Sequence, residues 1–247
     1  MRRAAGITEA DYEEPAETLE QLIDDRAGRL TDYQSRSYAN RYRRLVGRVH
    51  AAEAALQSGD ELPLSWAVAR NYYKLLAYKD EYEVARLYTD GAFRTALEQQ
   101  FEGDYSLSFH LAPPLLARRH PDTGRLIKRE FGPWILKAFG VLARLKFLRG
   151  TPLDVFGYTA ERRMERQLIA DYESRIDTLL KALNPDNCQV AAEIAGLPEF
   201  IRGFGHVKEL NLAAVRRRET ELLERFASGD RQVVRIQEAP EPAARVE

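Results

Sequence analysis

The chain has 247 residues, with 37 Lys and Arg against 38 Asp and Glu for a net charge of -1; 30% of residues are charged and 45% hydrophobic. That balance argues against bulk positive charge as the means of holding nucleic acid or an anionic membrane, and a chain this long buries roughly 70% of its unfolded surface without metals or crosslinks. One cysteine, Cys188, excludes an intramolecular disulfide, an all-cysteine zinc site and an iron-sulfur cluster held by this chain alone.

From Met1 the chain passes Arg2 and Arg3 into Glu9, Asp11, Glu13 and Glu14 with no apolar h-region. No targeting segment is read, so the expected location is the cytoplasm. Tyr38, Tyr42, Leu45, Val49, Ala52 and Leu56 then alternate steps of four and three, which places one apolar stripe on one helix face, with Arg36, Arg43, Arg44 and Arg48 opposite. This helix is read from Leu19 or Leu30, with a break near Gly28, and ends at Ser58-Gly59-Asp60. A second helix, from Ser65 to Asp90, carries Trp66, Tyr72, Tyr73, Tyr78, Tyr82 and Tyr88. Two long helices joined by a short Gly/Pro turn pack most simply as an antiparallel hairpin.

A shorter helix is expected from Ala92 to Phe101, and Tyr105 to His110 alternates as a short strand does. Pro121-Asp122-Thr123-Gly124 is turn chemistry, so a β-hairpin pairing Leu115 to Arg118 with Leu126 to Arg129 is expected within 105–130. Helices resume from Pro133 to Gly150, from a Thr159 cap to Leu183 with Met164, Leu168, Tyr172, Ile176 and Leu179 on one side, from Asn187 to Ala195, and from His206 to Phe226, with a short piece at Glu199 to Arg202. The stretch from Trp134 to Leu148 contains Lys137, Arg144 and Lys146 and is shorter than the roughly 20 apolar residues of a membrane span. The fold class is therefore mainly α: one helical domain over 1–228, divisible into 15–103 and 104–228, then a flexible tail at 229–247.

Charge is uneven along the chain. From Met1 to Asp32 four bases face nine acids, and from His110 to Gly150 nine bases face two acids. The basic stretch is read as a solvated loop and helix face, as an intramolecular partner for the acidic N-terminus, or as a surface for an anion or a partner protein. The four histidines, His50, His110, His120 and His206, are too scattered for a metal pair at helical spacing, and His110 is expected to be a buried, hydrogen-bonded imidazole. No Gly-x-Ser-x-Gly elbow and no Gly-Lys-Ser/Thr phosphate loop is present. Arg202-Gly203-Phe204-Gly205-His206-Val207-Lys208 has the look of an RNA-binding strand, but helices on both sides favour a glycine turn before the last helix, so no nucleic acid is expected.

Five blocks carry more information than any short motif. They are Leu76-Ala77-Tyr78-Lys79-Asp80-Glu81-Tyr82-Glu83-Val84-Ala85-Arg86-Leu87-Tyr88, Phe109-His110-Leu111-Ala112-Pro113-Pro114-Leu115-Leu116, Lys128-Arg129-Glu130-Phe131-Gly132-Pro133-Trp134, Phe156-Gly157-Tyr158-Thr159-Ala160-Glu161-Arg162-Arg163-Met164-Glu165 and Ile201-Arg202-Gly203-Phe204-Gly205-His206-Val207-Lys208. In content and order the chain resembles the C-terminal domain of the large fused indolepyruvate ferredoxin oxidoreductases, over about Ile7 to Phe226.

That resemblance implies a 2-oxoacid:ferredoxin oxidoreductase, in which thiamine diphosphate, magnesium and iron-sulfur clusters support oxidative decarboxylation of aryl pyruvates to acyl-CoA. In that family the thiamine and cluster domains lie N-terminal to this region. Here Gly59-Asp60, Gly103-Asp104 and Gly229-Asp230 are followed by Glu, Tyr and Arg, so no Gly-Asp-Gly diphosphate motif exists, and no catalytic, cofactor or metal residue is assigned to this chain. The expectation is an accessory domain, not catalytic alone, that docks on the catalytic domains or subunits of the oxidoreductase, with a homo-oligomer allowed. The candidate docking or site-wall residues are His110, Arg118, Arg119, Lys128, Arg129, His206 and Lys208, which combine charge with Gly/Pro-shaped loops. The alternative is a stand-alone helical interaction module, or a remnant without a catalytic partner.

Overall fold

The computed structural model describes residues 18–56, 61–101, 103, 106–111, 127–203 and 206–228. The N-terminal segment 1–17, the tail 229–247 and the expected strand Leu115 to Arg118 lie outside them.

Thr18 opens the first helix, α1 (Leu19–Tyr33), through a capping box: its hydroxyl accepts from Gln21 N and the Gln21 side chain returns to the Thr18 amide. The break expected at Gly28 falls instead after Tyr33, because Ser35 caps α2 (Arg36–Ala54) by accepting from Tyr38 N. Gly28 stays inside α1, where a glycine costs only about 1 kcal/mol. The expected second helix is also divided: α3 (Pro63–Leu76) stops at Ala77, and Asp80 starts α4 (Glu81–Leu87) by accepting from Glu83 N at 2.8 Å. α5 (Ala92–Gln100) follows.

The hairpin differs in its pairing. β1 (Phe109–Leu111) runs antiparallel to β2 (Arg129–Phe131), with Phe109 opposite Phe131, His110 opposite Glu130 and Leu111 opposite Arg129. Of the strand read at Tyr105 to His110, Phe109 and His110 lie in β1 and pair with β2, since Phe109 and Phe131 both have apolar company on one face. α6 (Ile135–Arg144) passes into a 3-10 turn at Leu145–Leu148, and α7 (Ala160–Ala182), α8 (Cys188–Gly196) and α9 (His206–Ser228) complete the chain. The class is mainly α, with one two-stranded sheet among the described residues.

α2 and α3 form the expected antiparallel hairpin: Tyr38 OH donates to Leu76 O, Tyr42 OH to Ala69 O, and Leu64 N to Glu53. The larger hydrophobic cluster joins α1, α2, α3, α7, α8 and α9, and its tyrosines do double service. Tyr42, Tyr72 and Tyr172 stack in a row at 6.0 and 5.8 Å between centroids, while Tyr172 OH donates to Ala195 O near the end of α8 and Tyr38 OH to Leu76 O at the end of α3. Each such hydroxyl satisfies a carbonyl, and those at helix ends lack an intrahelical donor. α3 has no side-chain cap of its own; buried Glu53 supplies one, accepting from Leu64 N, Ser65 N and Ser65 Oγ, with the Cys188 thiol 3.4 Å from Oε1. A smaller cluster gathers Ala85, Phe109, Ile135 and Phe139, with Tyr88, Phe93 and Phe131 against it. Between the two clusters lies a junction of buried charge.

Candidate functional site

The junction begins at Asp80. Its carboxylate caps α4 and also meets Arg149, whose Nε lies 2.5 Å from Oδ2 and NH2 2.8 Å from Oδ1. Arg149 NH1 donates to Tyr33 O at 2.7 Å, and the guanidinium carbon stands 3.7 Å from the centre of the Tyr33 ring. Burial opposes the Arg149 charge, but the bond to Asp80 and the neighbouring Tyr33 more than offset it, so the group is held charged above its ordinary value. Burial, with Asp80 beside it, lifts the Tyr33 phenol well above its usual range.

Five residues on, Asp154 is also buried. Its Oδ2 accepts from Gly150 N at 2.8 Å and its Oδ1 from Gly157 N at 3.1 Å and Tyr82 OH at 3.2 Å. A Cβ on Gly157 would stand 2.6 Å from Asp154 Oδ2, so only glycine allows this approach, and Gly150 takes the positive φ of 74° that the turn needs. Arg166 NH2 donates to Gly157 O at 2.6 Å, which ties the same loop to α7. Burial first, and then Asp154, raise the Tyr82 phenol.

These bonds give the segment 147–158 an inverted pattern. Its two charged residues, Arg149 and Asp154, point inward, while Phe147, Leu153, Val155 and Tyr158 are 55 to 70% exposed. α6 feeds this segment and shows a mixed outer face, because Trp134, Lys137, Val141 and Arg144 follow steps of three and four and all are exposed, whereas Ile135 and Phe139 enter the small core. Lys128 and Arg129 are exposed on the adjoining hairpin. Between 127 and 158 only one acid is exposed, Glu130, against the four exposed bases Lys128, Arg129, Lys137 and Arg144.

The candidates taken from the sequence separate into two groups. His110, Lys128 and Arg129 come together on the hairpin, and His110 is exposed opposite Glu130 rather than buried, because the period of two that buries Phe109 turns its neighbour outward. His206 and Lys208 lie instead at the start of α9, which packs on α8 and the turn Leu197–Phe200. The His206 side chain is outside the described residues, and Lys208 reaches Glu165 on α7 at 2.5 Å in a largely buried pair. Arg118 and Arg119 lie outside the described residues. Arg149, counted above in the basic stretch, is not on the surface at all. Phe147, Leu153, Val155 and Tyr158 are not among the candidate residues taken from the sequence, although Leu153-Asp154-Val155 between Gly150 and Thr159 shows the strand-like alternation, with the acid at the inward place.

Among the described residues no group of three His, Cys, Asp or Glu side chains is placed to hold a metal, and no helix is long and apolar enough to cross a membrane. A crevice of about 70 Å³ lies between α3, α7, α8 and α9, lined by Leu75, Leu168, Tyr172, Ile194, Leu197 and Leu212. It is small beside the roughly 300 to 1,000 Å³ of cofactor sites. Among the described residues, α6, the hairpin and the 147–158 segment expose four bases together with Trp134, Val141, Phe147, Leu153, Val155 and Tyr158, and they form the candidate functional surface.

The model of a family of unknown function (DUF6537) matches residues 19–221, and the chain belongs to that family. Comparison with curated proteins and with solved structures gives no match.

Proposed function

We propose that this DUF6537 chain is an accessory, non-catalytic docking domain of a 2-oxoacid:ferredoxin oxidoreductase of the indolepyruvate type. It would bind, in the cytoplasm, to the chain or domains that carry thiamine diphosphate, magnesium and iron-sulfur clusters and that decarboxylate aryl pyruvates to acyl-CoA. The observation that carries the docking part is the surface just described: four exposed bases, one exposed acid and a row of exposed bulky apolar side chains between 127 and 158. Patches of this kind mark interaction sites on soluble proteins.

The choice of partner rests on the resemblance. Three of the five blocks that carry the likeness lie in these elements: Leu76 to Tyr88 contributes Asp80 and α4, Lys128 to Trp134 contributes β2 and the residue before α6, and Phe156 to Glu165 contributes Gly157, Tyr158 and the start of α7. The cofactors belong to the partner in this reading. Cys188 is buried against Glu53, a position that does not suit a cluster ligand.

Co-expression of the tagged chain with the thiamine- and cluster-bearing chain tests the reading. A stable complex that survives gel filtration at moderate salt supports it, and complete separation of the two chains removes it.

A further inference from the structure

We propose that the binding surface is the outward side of α6 together with the inverted segment 147–158, and that its occupant is an acidic polypeptide segment bearing bulky apolar residues, supplied by the partner chain. This rests on the docking reading above and makes the partner's chemistry explicit.

Segment 147–158 reverses the usual arrangement of a loop. Ordinary loops expose charge and tuck apolar groups inward, whereas here Arg149 and Asp154 are 5% and 4% exposed and Phe147 and Leu153 are 63% and 70% exposed. The inward charges are fully engaged: Arg149 with Asp80 and Tyr33, Asp154 with Gly150, Gly157 and Tyr82. Such anchoring fixes the loop before any partner arrives, so little conformational freedom is left to lose on binding. Rigid aromatic and aliphatic groups held in this way have the character of interface anchors.

Charge selects the kind of partner. Lys137 and Arg144 alternate with Trp134 and Val141 along α6, with Lys128 and Arg129 beside them and Glu130 as the one exposed acid from 127 to 158. The complement of that surface carries carboxylates among apolar groups where it meets α6 and is apolar where it meets the 147–158 segment. A phosphate backbone or anionic bilayer suits it less well, because the loop that carries Leu153, Val155 and Tyr158 presents no exposed base from 150 to 158. This chain's own acidic residues Glu9, Asp11, Glu13, Glu14 and Glu17, beside Ile7 and Tyr12, offer a rival occupant of similar chemistry, which the experiment separates.

The test uses the full chain and a fluorescein-labelled synthetic amphipathic helix with Leu on one side and Glu on the other. Its controls replace every Glu by Lys, or every Leu by Ser. The expected result is saturable binding of the Glu/Leu peptide, at least about tenfold weaker binding of both controls, and a similar loss in the double variant Phe147→Ser/Leu153→Ser and in Lys137→Glu/Arg144→Glu. Both variants should keep the wild-type thermal midpoint, since the altered side chains are exposed. Leu210→Ser, an equally exposed site on α9, should bind as wild type.

No binding, equal binding of the three peptides, or binding indifferent to the two double variants overturns the proposal. Tighter peptide binding after removal of residues 1–17 overturns the assignment to a partner chain and makes the chain's own N-terminal segment the occupant. Co-sedimentation with phosphatidylserine vesicles that is lost in Phe147→Ser/Leu153→Ser, without peptide binding, overturns it in favour of a membrane. Capture of the thiamine- and cluster-bearing chain equally by wild type and Phe147→Ser/Leu153→Ser sinks this surface while leaving the docking reading intact. Peptide binding as expected with no capture of that chain sinks the oxidoreductase reading alone.

Discussion

Arg149 and Asp80, 69 residues apart in sequence, meet through two hydrogen bonds of 2.5 and 2.8 Å with both side chains 3% exposed. The pair closes the segment after α6 onto the start of α4, and through Tyr33 O it also holds the end of α1. Three elements distant in sequence share one guanidinium.

Removing one member of this pair should therefore cost far more than its exposed counterparts would. Arg149→Met or Asp80→Asn leaves a buried charge without its partner, and we expect each to lower unfolding free energy by about 3 to 5 kcal/mol in urea titration. Exposed Arg43, paired with Asp24 at 2.6 Å, gives the contrast: Arg43→Met should cost no more than about 1 kcal/mol. Equal losses at the two sites would show that the junction does not order these elements.

Gly157 offers a sharper test of the loop. A methyl there would stand 2.6 Å from Asp154 Oδ2, so Gly157→Ala should destabilise by about 1 to 3 kcal/mol, the range for a group forced into a filled site. In an Asp154→Ala background the obstructing carboxylate is gone, and the same substitution should cost much less. A double-mutant cycle measures the difference. Additive effects would mean that the contact with Asp154 is not what requires glycine.

The buried phenols set the alkaline limit of stability. Burial pushes Tyr172, Tyr33, Tyr72 and Tyr42 above the ordinary value of 10.0, with Glu173 adding to the rise at Tyr72 and Asp80 at Tyr33. The folded state then keeps protons that the unfolded state releases, so their contribution is whole below pH 10 and declines as pH rises past it. Glu173 sets an acid limit of opposite sign. Burial raises its pKa, but hydrogen bonds from Arg41 and from Tyr72 outweigh that and hold it below 4.5, so its contribution stands above pH 4.5 and is lost on acidification. Unfolding free energy measured across pH should fall at both ends, and Tyr72→Phe should soften both slopes.

Much of this fold was legible in local chemistry. Thr159 accepts from Arg162 N and starts α7 as its cap, and the Leu168, Tyr172, Ile176 and Leu179 spacing put that helix in the core. The interruption after Leu76 has a local signal, since Asp80 three residues before Glu83 is a helix start, but that signal lies inside a tyrosine-rich helical period. The pairing of β1 with β2 depends on Phe109 and Phe131 sharing a small core, and the Arg149 to Asp80 bond on three elements meeting. Neither follows from spacing within one segment. The exposed apolar side chains at 147–158 depend on a similar long-range contact: burial of Arg149 and Asp154 turns them outward, and the partners of those two are Asp80 and Tyr82.

Hydrogen exchange of the chain, alone and mixed with the thiamine- and cluster-bearing chain, bears most directly on the docking role. Slowed exchange confined to residues 127–158, and abolished by Lys137→Glu/Arg144→Glu, is the expected result. Unchanged exchange throughout, or protection confined to α8 and α9, would contradict it.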